Sequence, residues 1–224
     1  MRIAIIGDSF TYTYKDTWIQ TLVETLNLKL IHQSGFPGHS EFRIYKEFKI
    51  IINSNNLPDV ILICHTEHAR LYNPTIPIKP SFSNNLKYDI LNKKTDFIKI
   101  VNNYYEFLYD SEYSSVMHNF IIKDIQEICR DKNIKLINIP CFEHDFVEKN
   151  YGLWFLTNGG LIQCSKTDHI KTYNKSMEHN DLRLNHFSPN GHEIIANNII
   201  PHIKTYINTD QNFHISLLFP ELFA

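Results

Sequence analysis

The residues best suited to chemistry collect in four short stretches. They are Gly7-Asp8-Ser9-Phe10-Thr11, Gly35-Phe36-Pro37-Gly38-His39-Ser40, Cys64-His65-Thr66-Glu67-His68-Ala69-Arg70 and the run from Asp181 to Pro189 that contains His186. Ser9 is a candidate nucleophile, but a serine hydroxyl is hardly ionised at neutral pH and needs a base beside it. His186 is the candidate base. Asp181, the nearest acid upstream, is the candidate group to hold its imidazole in the right tautomer. The backbone N–H groups of Ser9 and Gly38 are candidate donors to a developing oxyanion, and a glycine at position 38 allows close approach of a substrate. Thr66 can add a hydroxyl donor. Arg70 suits either an anionic group of a substrate or a structural ion pair, and Asp8 suits a local brace for the serine turn.

Such residues must be held by something, and the intervening sequence reads as alternating strands and helices. Arg2 to Ile6 is an apolar run ended by Gly7, which reads as a buried parallel strand. Trp18, Leu22, Val23 and Leu26 recur at helical spacing, predicting a helix over about 16–27. A strand over 28–32, a helix marked by Phe42, Tyr45, Phe48 and Ile52, and a strand over 60–63 follow. Helices are expected over 97–109 and 112–131, the second with Val116, Phe120, Ile121, Ile125 and Ile128 on one face. A fourth strand covers 134–139. Ser188-Pro189 is a cap followed by a proline at the first helical position, and its helix runs to about 200 or a little beyond Pro201. Residues 73–96 and 142–180 read as irregular insertions. Tyr151, Trp154 and Phe155 in the second suit a sugar-stacking wall, but core or cleft lining is the favoured reading. This alternation predicts one α/β domain over residues 1–224, with a parallel sheet and helices on both faces. In such a sheet ligands bind beyond the C-terminal strand ends, where the chemically able residues stand.

Composition narrows the field. The 224 residues carry a formal net charge of -2, with 43% hydrophobic and 21% charged residues. That balance gives no strong field to attract nucleic acid or an anionic membrane. The four cysteines, Cys64, Cys129, Cys141 and Cys164, form no CxxC pair and read as reduced, buried thiols. His65-x-x-His68 lacks an obvious third ligand, so neither a metal nor another cofactor is expected. No GxGxxG or Walker loop suggests a nucleotide. No signal peptide or membrane span is expected, and the location implied is cytoplasmic or virion-associated. The apolar tail, 215–224, is expected to pack on the domain or on a second subunit of a homo-oligomer.

Taken together, Gly7-Asp8-Ser9-Phe10-Thr11 after the first strand, Pro37-Gly38-His39-Ser40 after the second and His186-Phe187-Ser188-Pro189-Asn190-Gly191-His192 near the end resemble the SGNH (GDSL-type) hydrolase family along most of the chain. The resemblance implies a three-layer α/β/α, flavodoxin-like fold and metal-free hydrolysis of an ester, with Ser9 as nucleophile, Gly38 as oxyanion donor and His186 as base. The expected reaction is hydrolysis or transfer of an acyl group through an acyl-enzyme on Ser9, from a carbohydrate or a small lipid-like ester. Two positions depart from the family pattern. The third block normally places an Asn where Thr66 stands, and the family acid sits three residues before the base, where this chain has Arg183. Asp181 lies five before it. The Thr66…Arg70 spacing and the run from Asp181 to His186 resemble a divergent, phage-associated branch. Both departures motivate a competing reading, a non-catalytic SGNH-like carbohydrate-binding module.

Overall fold

A computed structural model describes residues 1–11, 17–35, 38–74, 95–142, 149–157, 160–162, 164, 187–209 and 213–217. Its centre is a six-stranded sheet of β1 (Arg2–Gly7), β2 (Lys29–Gly35), β3 (Val60–His65), β4 (Lys135–Pro140), β5 (Leu153–Thr157) and β6 (Phe213–Leu217). The order is β2-β1-β3-β4-β5-β6, and every neighbouring pair is parallel. The first five strands follow the flavodoxin-like order, in which the direction of strand addition reverses between β1 and β3.

Two apolar layers cover this sheet, and the strands show why. Alternate residues of a strand point to opposite faces. Ile3, Ile5, Leu62, Ile137 and Leu153 meet α1 (Trp18–Thr25) and α5 (Pro189–Ile207) through Trp18, Leu22, Ile195, Ile199 and Ile203. Ala4, Ile6, Ile61, Ile63 and Leu136 meet α2 (Glu41–Ile52) and α4 (Ser111–Asp131) through Ile44, Phe48, Ile51, Ile125 and Cys129. Strands buried on both sides need unbroken apolar runs, as in a fully covered parallel sheet. Each fully buried side chain of this size contributes about 1.5–3 kcal/mol. The result is a three-layer α/β/α structure. Among the described residues no helix is long and apolar enough to cross a membrane.

Several elements differ from the sequence expectation. Within the stretch expected to be irregular, 153–157 forms β5, and Trp154 and Phe155 are fully buried. They are core, in line with the favoured reading of these rings; the strand itself is what the sequence did not show. Residues 213–217 of the tail form β6 on the β5 edge, while 218–224 lie outside the described residues. Most of the 73–96 insertion, 75–94, also lies outside them. α3 (Thr95–Asn103) passes into a π-helical turn over Tyr104–Leu108 before α4 begins. On α4 the buried face is His118, Ile122, Ile125, Gln126 and Cys129, whereas Val116 and Phe120 are exposed. The stripe is rotated because two polar residues, His118 and Gln126, find partners inside. Gln126 accepts from the Tyr151 amide.

α5 continues through Pro201 to Ile207. An interior proline costs about 3 kcal/mol. Beyond it Ile203, Tyr206 and Ile207 are buried, and the Tyr206 hydroxyl accepts from the Leu136 amide of β4. That packing outweighs the local penalty.

Candidate active site

The topological switch point lies between β1 and β3, and Ser9 and Thr66 stand just beyond the ends of these two strands. β2, which leads to Gly38, lies on the other side of β1. Its register pairs Gly7 with Gly35, so the first two candidate loops leave the sheet at the same level.

Ser9 opens a short 3-10 turn, Ser9–Thr11, and is buried. The turn is fixed from several directions. The Phe10 amide donates to Asp8 Oδ1 at 3.0 Å, and Thr11 donates to the Asp8 carbonyl through both its amide, at 3.1 Å, and its hydroxyl, at 2.8 Å. Trp18 Nε1 donates to the Phe10 carbonyl at 3.0 Å and Gln33 Nε2 to the Thr11 carbonyl at 2.8 Å. Asp8 is thus the brace that the sequence suggested. Gly35 packs so tightly that a Cβ there would lie 2.7 Å from the Thr11 carbonyl carbon. Gly38 has φ 78°, a left-handed conformation that favours glycine.

Arg70 joins the loops. Its Nη1 meets Asp8 Oδ2 at 3.2 Å and the His39 carbonyl at 3.1 Å, its Nε donates to Glu67 Oε1 at 2.8 Å, and its guanidinium lies 4.6 Å from the Phe142 ring centre. It therefore touches the segments that follow β1, β2 and β4 from its own place after β3. Of the two uses open to Arg70 in the sequence, the structure has the ion pair. Burial pushes the Asp8 carboxyl up from its ordinary value, and Arg70 and the Phe10 amide pull against that rise.

Thr66 is fully buried at the exit of β3, and its Oγ1 finds no hydrogen-bond partner among the described residues. A buried hydroxyl left unpaired costs about 1–3 kcal/mol. Around Thr66 lies a set of residues that sequence reasoning missed. Glu41 accepts from His65 Nδ1 at 2.8 Å through Oε1 and from the Thr66 amide at 2.9 Å through Oε2. His118 Nε2 lies 3.0 Å from the Thr66 carbonyl and 3.4 Å from Glu41 Oε2. His65 Nε2 is 3.0 Å from Asn138 Oδ1, and its ring stacks on Trp154 at 5.6 Å. Burial alone would raise the Glu41 carboxyl, but His65 and His118 hold it well below the usual carboxylate range. Both His65 nitrogens are engaged in this network, and His68 Nδ1 lies 3.1 Å from the Tyr109 hydroxyl. Among the described residues no group of three or more histidine, cysteine or acidic side chains is arranged to hold a metal ion.

At the far end of the chain Ser188 caps α5 by accepting from the Gly191 amide at 3.0 Å, with Pro189 in the first turn, as its sequence suggests. Asp181, Arg183 and His186 lie outside the described residues. His192, the other histidine of that segment, receives the Trp18 amide on Nδ1 at 3.4 Å. The four cysteines are all buried and free of disulfides.

The structure is similar to several solved proteins. One is assigned to the lipolytic G-D-S-L family, from Desulfitobacterium hafniense: 14% identity, 89% of this chain and 98% of that one covered, TM-score 0.47. Another is assigned as an acylhydrolase, from Bacteroides fragilis: 13% identity, coverage 92% and 88%, TM-score 0.43. A third is an acetyl xylan esterase: 13% identity, coverage 91% and 100%, TM-score 0.38. No family model and no curated protein matches the chain. Identities and TM-scores this low leave the activity to be read from the site itself.

Proposed function

We propose that this protein is a serine esterase of the SGNH type. Ser9 Oγ attacks the carbonyl carbon of an ester while His186 accepts its proton, with Asp181 orienting the imidazole. The N–H groups of Ser9 and Gly38 and the hydroxyl of Thr66 receive the negative charge that builds on the carbonyl oxygen. When the tetrahedral species collapses, the C–O bond to the alcohol breaks and His186 returns the proton to it. Water, activated by the same histidine, then releases the acid from Ser9. An acyl group on a carbohydrate is the proposed substrate class. Arg70 serves this chemistry by tying the three donor-bearing loops together.

The observation that carries the reading is the convergence of three loops at the switch point: a rigid serine turn, a left-handed glycine segment and a buried threonine hydroxyl without a partner among the described residues, linked through Arg70. The test is turnover of p-nitrophenyl acetate and of acetylated oligosaccharides by the wild type and by Ser9→Ala. Turnover that disappears in Ser9→Ala supports the reading. A folded wild type that turns over none of these esters would favour the binding module instead.

A further inference from the structure

Three titratable side chains from three elements meet behind Thr66, and the chemistry just described does not use them. Glu41 comes from the first turn of α2, His65 from the end of β3 and His118 from the buried face of α4. All three are buried, as is Asn138 beyond them. The Asn138 amide donates through Nδ2 to the Leu153 carbonyl at 3.4 Å, which turns its oxygen toward His65. His65 therefore lies between the Glu41 carboxylate and the side-chain oxygen of Asn138. Burying polar groups in this way is a weak source of stability, because their desolvation offsets most of the attraction. What this pair and His118 hold is more telling. The Thr66 amide donates to Glu41, and the Thr66 carbonyl accepts from His118. Both peptide groups that flank the Thr66 Cα are clamped, which fixes the base from which its side chain projects. Only the hydroxyl is left unsatisfied among the described contacts.

We propose that Glu41, His65 and His118 are positioning residues that hold Thr66 as an oxyanion donor, supplying through a rigid backbone the precision that a short side chain lacks. This inference rests on the esterase reading. Donors to an oxyanion work when they are aimed before the charge appears, so that nothing reorganises as the reaction proceeds. A longer Asn can reach from a looser backbone, whereas a threonine hydroxyl is one bond from its Cβ and depends on where the backbone puts it.

The test is a double-mutant cycle on the full chain, read as kcat and KM for p-nitrophenyl acetate. Glu41→Gln replaces one of the two carboxylate oxygens with an NH2 group, so the side chain no longer presents an acceptor to both the Thr66 amide and His65 and the clamp on Thr66 loosens. Glu41→Gln is expected to lower kcat at least about tenfold while KM stays within about threefold, since ground-state binding is untouched. In a Thr66→Val background the same change is expected to lower kcat by less than about threefold, because the donor it positions is already gone. His118 gives an independent arm, useful where Glu41→Gln folds poorly. His118→Gln keeps a donor for the Thr66 carbonyl and is expected to retain at least about a third of kcat, whereas His118→Leu is expected to lose about tenfold. Equal losses from Glu41→Gln in both backgrounds, or equal effects of the two His118 variants, would overturn the inference and leave the esterase reading standing. A wild type whose Ser9 takes no label from a fluorophosphonate would overturn both.

Discussion

Replacing Arg70 with methionine tests the idea that one guanidinium ties the site loops together. Methionine keeps much of the aliphatic bulk against Phe142 but removes the charge and the donors. Asp8 is fully buried, and the Arg70 side chain is only 5% exposed, so solvent cannot screen the loss. Breaking a buried pair by deleting one partner costs about 3–5 kcal/mol, because a carboxylate is stranded in a poor solvent. That is a large share of the roughly 5–15 kcal/mol that holds a typical domain together.

Proton uptake gives the sign. Asp8 already has its carboxyl raised from the ordinary 3.8 by burial, against the pull of Arg70. Without Arg70 it rises further. A carboxyl raised in the folded state favours folding at low pH, and that advantage is lost as pH climbs through the folded value. The deficit of Arg70→Met in urea unfolding is therefore expected to be smaller at about pH 4.5 than at about pH 7. Asp8→Asn removes the stranded charge, so the double variant is expected to recover at least about 1 kcal/mol relative to the sum of the single changes. A loss under about 1 kcal/mol, the same loss at both pH values or strict additivity would refute the role given to Arg70.

Other outcomes follow from single contacts. Gly35→Ala would place a Cβ 2.7 Å from the Thr11 carbonyl carbon, so it is expected to destabilise by about 1–3 kcal/mol and to slow fluorophosphonate labelling; thermal unfolding and a labelling time course check both. Glu41 has a depressed folded-state carboxyl against an ordinary value of 4.5; its contribution is present above that value and lost as pH falls, so Glu41→Gln is expected to flatten the acid limb of stability against pH, measured by urea unfolding at several acidic pH values.

Much of the fold was legible in the sequence for a physical reason. Val60-Ile-Leu-Ile and Arg2-Ile-Ala-Ile-Ile are unbroken apolar runs, and such runs fit only a sheet covered on both faces. Ser188-Pro189 announced the start of α5 through a cap that the structure contains. What local pattern hid was the work of tertiary contacts. β5 was obscured because Trp154 and Phe155, though read as core or cleft lining, lie in a stretch that otherwise reads as irregular. The rotation of α4 was hidden because His118 and Gln126 look like surface residues until Thr66, Glu41 and the Tyr151 amide are beside them. In the site, Gly7-Asp8-Ser9 and Gly38 were marked by turn chemistry. Glu41 carried no such mark: an acid directly after a cap serine reads as a solvated first-turn charge, and only the crossover from β2 to β3 brings it under Thr66. The nearest sequence signal was on the other side, in two histidines and a threonine crowding one strand exit.

The central claim is that Ser9 is an activated nucleophile. The most direct measurement is the mass and position of the adduct after the full chain is treated with a fluorophosphonate and digested. The account predicts one phosphonyl group on the peptide that carries Ser9, and none on that peptide in Ser9→Ala. A folded wild type left unmodified at Ser9, or one modified elsewhere while hydrolysing ester at an unchanged rate, would contradict it.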